Sequence, residues 1–188
     1  MRPTPDDDPD AWHAHLVEGN ATQARKRVAA DILLRDSAGR VLLVNPTYKP
    51  GWDLPGGMSE ENEPPEQTVV RELTEELGLA VTPRTLLVVD WIPPHGPWDD
   101  QIAFVFDGGI LDTRTALRPR DEELSDAAFV SLDRAHGLLE ERLRKRLDAA
   151  VEALNHGRPV YLSNGCLIHS GTSEGPREAT SGEPGGLL

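Results

Sequence analysis

Apolar and polar positions divide the chain into short blocks with two different periods. Val28 to Leu34 is apolar and suited to extended backbone, Asp36-Ser37-Ala38-Gly39 puts a glycine where a tight turn needs one, and Val41-Leu42-Leu43-Val44 follows. That pattern predicts a β-hairpin beginning near Arg27. Asn45-Pro46 and Lys49-Pro50-Gly51 then break the chain into a loop. Leu86 to Trp91 and Gln101 to Phe106 read as two further strands, separated by a loop rich in proline and tryptophan, with Phe129-Val130 as a shorter one. Two segments carry the helical period. Between Pro64-Pro65 and Gly78, with Glu66 in the first turn, Val69, Val70, Leu73 and Leu77 recur at three and four residues, predicting about three turns with all four facing a core. Leu139, Leu143, Leu147, Val151 and Leu154 form one stripe of a second helix, with Asp133 as its cap and Asn155-His156-Gly157 as its end. Pro159 to Leu162 adds an edge strand.

Strands and two helices interleaved without regular βαβ spacing predict an α/β (α+β) sandwich around a mixed sheet, and not a doubly wound parallel sheet. A length of 188 residues suits one domain. The 17 glycines and 16 prolines suit disordered ends on an ordered middle. Residues 1–24 read as an acidic, proline-broken, flexible start followed by a short helix that docks Trp12 and Leu16. The domain itself runs over 25–162, and 163–188 reads as a disordered tail.

Charge and cysteine content narrow the partners. With 19 Lys and Arg against 32 Asp and Glu, the net charge is −13, a field that repels nucleic-acid polymers and admits a small phosphorylated ligand only together with cations. The single cysteine, Cys166, allows neither an intramolecular disulfide nor a cysteine zinc cluster. No histidine spacing suggests zinc either. The start lacks the basic and then apolar pattern of a leader, and the longest apolar stretch, residues 85–92, falls far below the ~20 residues that span a bilayer. A soluble, cytoplasmic protein with no membrane partner is expected.

The first helix is unfavourable by its own local rules. Glu72, Glu75 and Glu76 share one side, and like charges at i, i+3 and i, i+4 destabilise a helix by a few tenths of a kcal/mol per pair. Glu75 and Glu76 also stand in the last turn, beside the negative end of the helix dipole. Ahead of them, Leu54-Pro55-Gly56-Gly57 supplies backbone that can approach a ligand closely, because no Cβ obstructs the carbonyls. Carbonyl oxygen plus clustered carboxylates is the donor set of a hard divalent cation, Mg²⁺ or Mn²⁺. Such an ion turns the repulsion among the glutamates into attraction.

Gly57, five residues, Glu63, seven residues, then Arg71-Glu72-Leu73-Thr74-Glu75-Glu76-Leu77-Gly78-Leu79 matches the fixed positions of the Nudix box, and the Trp-x-Leu-Pro-Gly-Gly lead-in from Trp52 resembles the same family. The resemblance extends loosely from Arg27 to Leu154. It implies a central mixed sheet between helices, and a MutT-like pyrophosphohydrolase that cleaves a nucleoside diphosphate linked to another group, such as a nucleoside triphosphate or ADP-ribose. It also implies that Glu72, Glu75 and Glu76 coordinate Mg²⁺ with the Gly57 carbonyl, while Glu63 and Arg71 brace the loop against the helix and Leu73 and Leu79 are core. Some relatives carry a further glutamate just before the aromatic residue of the late strand. Here Ala128 precedes Phe129, and Asp121, Glu122 and Glu123 in the loop upstream are the substitutes.

In-line attack of water on a pyrophosphate needs a carboxylate to take the proton. Glu72 of the box is favoured, with Glu122 or Glu123 as the alternative. Lys49 can touch a distal phosphate as a point charge. Trp98, flanked by Pro97 and Asp99-Asp100, is the exposed platform for a base, ahead of Tyr48 and of Trp91, which ends an apolar strand. His95 in the same loop reads as a bystander. The alternative function is a non-catalytic Nudix-fold nucleotide sensor; the intact glutamate trio argues against it. An isoprenoid-type isomerase on this fold wants a cysteine in the site, and Cys166 lies in the tail. Relatives often form homodimers, and no patch of this sequence reads as an interface.

Overall fold

A computed structural model of the chain describes residues 3–112, 114–120 and 122–168. In chain order the elements are α1 (Pro9–Thr22), β1 (Arg27–Arg35), β2 (Val41–Pro46), β3 (Gly56–Met58), α2 (Pro65–Leu77), β4 (Leu86–Ile92), β5 (Gln101–Ile110), β6 (Leu124–Val130), α3 (Leu132–Leu138), α4 (Glu141–His156), β7 (Val160–Ser163) and β8 (Cys166–Leu167).

The strands form one sheet in the order β6-β2-β1-β5-β4-β7-β8, with β3 paired to β1 beside β2. Strands β1 and β5 run parallel, as do β4 and β7, while the other pairs are antiparallel, so the sheet is mixed. Central β1 is buried without alternation from Ala29 to Leu34, as a strand covered on both faces must be. On one face Ile32, Leu34, Leu42 and Val44 pack on Val69, Leu73 and Leu77 of α2. On the other, Leu33, Val41, Leu43 and Val105 pack on Ala135 of α3 and Leu147 and Ala150 of α4. Each fully buried leucine contributes ~1.5–3 kcal/mol. The result is the expected three-layer sandwich, helix, sheet, helix.

Helix α2 begins after Pro64 and ends on Gly78, whose left-handed backbone (φ 64°) returns its N–H to Leu73 and Thr74. Val70 departs from expectation. It is 39% exposed, because it lies one step around the helix from the Val69-Leu73-Leu77 stripe, and Thr68 and Glu76 are buried beside that stripe instead.

Several other expectations need correction. The N-terminal helix is a full 14 residues, capped by Asp8, whose carboxylate accepts from the Ala11 N–H at 3.0 Å. It buries none of its residues, and Leu16 is 47% exposed, so the expected docking of Leu16 does not occur. Asp8 caps the helix and Pro9 occupies its first turn. The late strand starts at Leu124, not Phe129, and pairs with β2 from Pro46↔Leu124 to Val41↔Val130; its exposed Ser125 and Asp126 hid the first half. The second helical stripe lies on α4 from Leu143 onward, while its first residue, Leu139, falls in the extended break at Leu139 and Glu140 that separates α4 from a shorter helix, α3. Ser131, not Asp133, caps α3, its Oγ accepting from the Arg134 N–H.

The expected tail is ordered in its first residues. Asn164 and Gly165, at φ 54° and 75°, make the two-residue turn of a hairpin joining β7 to β8. Strand β7 adds parallel to β4 from Val88↔Val160 to Trp91↔Ser163. The rest of that segment, 169–188, lies outside the described residues.

Candidate functional site

The site is built where β3 turns into the loop before α2. Gly56 has φ 143°, and a Cβ there would collide with the Ala30 carbonyl of β1. Only glycine lets β3 lie this close to β1, with Ala30 opposite Gly57. At Gly57 a Cβ would instead overlap the carboxylate of Glu72. The missing side chain therefore lets Glu72 of α2 lie directly against the loop backbone.

Arg71 ties the loop to the helix. Its Nε donates to Glu63 Oε1 at 2.9 Å and its Nη2 to Glu63 Oε2 at 3.0 Å, a two-pronged pair, while Nη2 also donates to the Met58 carbonyl at 3.0 Å. Its Nη1 donates to Glu72 Oε1 at 2.9 Å and, more loosely, to Glu75 Oε2 at 3.3 Å. Glu63 further accepts from the Glu60 N–H and the Thr68 hydroxyl, both at 2.9 Å. Hydrogen bonding from Arg71, aided by these donors, pulls the Glu63 carboxyl down to about 2.

Glu76 has the opposite surroundings. It is buried at 6% exposure, and its Oε2 has no hydrogen-bond partner. Burial, with the charges of Glu72, Glu123, Asp53 and Asp31, pushes its carboxyl up to about 8. Burial also raises Glu72, against the pull of Arg71. A sealed, unpaired acceptor among like charges is unfavourable unless something cationic meets it. The oxygen-only donors at Glu72, Glu75, Glu76 and Gly57 fit a hard divalent cation on that ground. Among the described residues no three acidic or histidine side chains already close into a cage, and the Arg71–Glu75 contact is the longest of the Arg71 set.

The loop before β6 brings Glu123 toward the trio, where its charge acts on both Glu72 and Glu76, while its carboxylate meets Arg120 at 3.4 Å. Glu122 is exposed, and its carbonyl accepts from the Thr47 hydroxyl at 2.9 Å. Asp121 lies outside the described residues.

From Gly57 a cavity of about 680 Å³ extends over β1 to the start of α4, within the ordinary range of small-molecule sites. Lys49 and Trp98 both line it. Lys49 forms an ion pair with Asp53, which holds its ammonium above the ordinary value although burial opposes this. Trp98 is 54% exposed, with the Arg27 guanidinium 4.5 Å from its ring centroid. Its turn is closed by paired backbone bonds between His95 and Trp98, both 3.0 Å. Tyr48 and Trp52 add aromatic wall, and His95 lines the cavity as well. Trp91 is half-buried, and its Nε1 donates to Asp100 at 2.9 Å.

Sequence reasoning missed a buried ionic network in the wall of the cavity, to which Asp31 and Arg146 contribute. Arg146 of α4 bonds Asp31 of β1 at 3.2 Å and Asp90 of β4 at 3.1 Å. Asp90, fully buried, also accepts from the Gly165 N–H at 3.1 Å. Burial raises the Asp31 carboxyl, against the pull of Arg146. The available signal was a charged residue inside each of two apolar strands, Asp31 and Asp90, since a buried carboxylate requires a partner.

The family model described as NUDIX domain matches residues 25–154. The chain is 58% identical over 36 residues to an 8-oxo-dGTP diphosphatase of Proteus vulgaris, covering 19% of this chain and 32% of that protein. It is 33% identical over 109 residues to an ADP-ribose pyrophosphatase of Methanocaldococcus jannaschii, covering 56% and 62%. The matched segments thus span less than two thirds of these curated relatives. The crystal structure of a MutT protein from Methanosarcina mazei Go1 superimposes with a TM-score of 0.58 at 24% identity, over 72% of this chain and 99% of that one, and shares the fold.

Proposed function

The chain belongs to the Nudix family, and from that premise we propose that it is a divalent-cation-dependent hydrolase of a nucleoside diphosphate linked to another group, a nucleotide sugar or a nucleoside triphosphate. The observation that carries this reading is the sealed, unpartnered Glu76 Oε2 beside Glu72, with Glu72 pressed onto Gly57. The names of the two relatives, a diphosphatase and a pyrophosphatase, support it.

Glu72, Glu75, Glu76 and the Gly57 carbonyl are the residues that would hold Mg²⁺ or Mn²⁺. Bound there, the cation supplies charge screening of the diphosphate and a lowered pKa for the attacking water. The chain's own groups do the rest. Glu63 and Arg71 keep Glu72 against the loop. A carboxylate, Glu72 or Glu123, takes the proton of water as it attacks phosphorus and the bridging P–O bond breaks. Lys49, steadied by Asp53, offers a positive charge to a phosphate oxygen, and Trp98 offers a face to the base. Products are a nucleoside phosphate and the phosphorylated remainder. The exposed lone Cys166 suits a reducing, cytoplasmic compartment, and among the described residues no helix is long and apolar enough to cross a membrane.

The test is turnover of nucleoside triphosphates and nucleotide sugars with Mg²⁺, products identified, for the native chain and for Glu76→Gln. The variant should lose about a hundredfold or more in kcat while remaining folded. Equal turnover by the two proteins would refute the assignment.

A further inference from the structure

The floor of the main cavity is the face of the sheet that carries every second residue of β1, Arg27, Ala29 and Asp31. Gly57 and Met58 of β3 line the same cavity, with Ala30 opposite Gly57 and Ala29 opposite Met58. Arg27 therefore lies three residues along β1 from the point facing Gly57, roughly 10 Å at the rise of a strand. A nucleoside spans that distance, so a nucleotide with its phosphates at Gly57 can bring its base to Arg27. Between the two ends the floor is apolar and low, because Ala29 and Ile92 form a small buried cluster there with Ala103.

At the far end Arg27 stands opposite Gln101 of β5, and both line the cavity. Neither has its hydrogen bonding filled. Nη1 of Arg27 is buried with no partner, and Nη2 has only the Met58 thioether, a weak acceptor, at 3.6 Å. Arg146 in the same cavity wall is, by contrast, held by two aspartates. The half-buried Gln101 carboxamide has no hydrogen bond among the described residues. Trp98 fixes the guanidinium, whose central carbon is 4.5 Å from the ring centroid. Guanidinium donors lie in the plane of the group, so a base beside it on the same indole face meets them with its edge.

Such a pair discriminates between two kinds of edge. Guanine, hypoxanthine, uracil and thymine carry a carbonyl next to a ring N–H. Adenine and cytosine carry an amino group next to a bare ring nitrogen. Arginine only donates, so it bonds the carbonyl and opposes the amino group. A carboxamide has an acceptor as well as donors, and Gln101 can turn its oxygen to the ring N–H.

We propose that Arg27 and Gln101 read the edge of the substrate's base and select a nucleotide whose base has a carbonyl beside a ring N–H. This rests on the reading of the main cavity as a nucleotide site, and goes further, since that reading leaves the base open. ADP-ribose, whose adenine has the opposite edge, is then a poor substrate of this chain.

Inosine and adenosine nucleotides differ only in that edge. With the full chain and Mg²⁺, kcat/KM for ITP and GTP should exceed that for ATP by about tenfold or more. Arg27→Met removes the donors and keeps the stem, and should bring the ITP-to-ATP ratio close to one through a higher KM for ITP. Arg27→Lys keeps the charge without the planar fork and should lose most of the preference too, which a contact from Arg27 to phosphate would not produce. Gln101→Leu should lower the ratio severalfold, and tests the edge even where an arginine variant fails to fold. Calorimetry with the α,β-methylene analogues of IDP, UDP and ADP reads the same edge without turnover. The first two should bind the native chain about tenfold more tightly than the third, and Arg27→Met should abolish the difference. Equal binding of the three, binding of none, a preference that Arg27→Met and Gln101→Leu leave unchanged, or an equal loss for all nucleotides would overturn the proposal. Absence of hydrolysis of every nucleotide offered, with the calorimetric preference intact, would refute the hydrolase reading alone.

Discussion

A carboxylate oxygen sealed from water with no donor, as at Glu76, is a local cost that folding alone does not recover. With its folded carboxyl at about 8 against an ordinary 4.5, Glu76 has to take up a proton on folding at neutral pH, a cost that Glu76→Gln removes while keeping the shape, so in chelator at pH 7 the variant should melt a few degrees above the native protein. Scanning calorimetry checks this, and a lower melting temperature would show that the carboxylate is satisfied within the fold. Glu63 has the opposite sign. Its folded carboxyl lies at about 2 against an ordinary 4.5, so its contribution is complete above about pH 4.5 and disappears as pH falls toward 2. On the order of 2 kcal/mol is at stake. In Glu63→Gln, urea midpoints should be lower than native at pH 7, and the gap should close on titration toward pH 2.

At the scale of elements, the two adjacent glycines of β3 do different things. An alanine Cβ at 56 strikes the backbone of β1 in a left-handed conformation, and Gly56→Ala should destabilise the fold by about 3 kcal/mol. An alanine at 57 strikes only the mobile end of Glu72. Gly57→Ala should therefore stay folded yet lose about a hundredfold in turnover, because displacement of a site group by an ångström has that scale. Denaturation and kinetics on the pair separate the two outcomes. The elements differed in how openly the sequence announced them. Helix α2 was readable to the residue, because Pro64-Pro65 and Gly78 are strong stops and the Val69-Leu73-Leu77 stripe has one clear period. Strand β3, only Gly-Gly-Met, has no alternation to read, and its existence depends on a partner strand distant in sequence. The α3–α4 break was hidden because Leu139 continues the apolar spacing of α4 across it. The hairpin at Asn164-Gly165 did carry its turn signal, but the glycine- and serine-rich residues beyond masked it.

Across the whole molecule, Arg146 links β1, β4 and α4, and Asp90 extends that link to the C-terminal hairpin. Replacing Asp90 by alanine leaves Arg146 short of one partner in a buried place and releases the Gly165 N–H. A loss of about 3–5 kcal/mol in urea unfolding is expected, with the β7–β8 turn at Asn164 loosened. The clustering of Glu72, Glu75 and Glu76 stands out in the sequence because its spacing violates local helix preferences, and the Leu54-Pro55-Gly56-Gly57 loop ahead of it gives that clustering a chemical meaning. The Asp31–Arg146–Asp90 network does not stand out, because its members are 115 and 56 residues apart and only the folded sheet brings them together.

The proposed hydrolysis requires a divalent cation held between the α2 glutamates and the Gly57 carbonyl. Crystals grown with Mn²⁺ and an α,β-methylene nucleotide analogue, measured at a wavelength where manganese scatters anomalously, address it directly. An anomalous peak bounded by Glu72, Glu75, Glu76 and the Gly57 carbonyl, and touching the diphosphonate, is the predicted result. Diphosphonate density in the cavity with no peak beside those glutamates would contradict it.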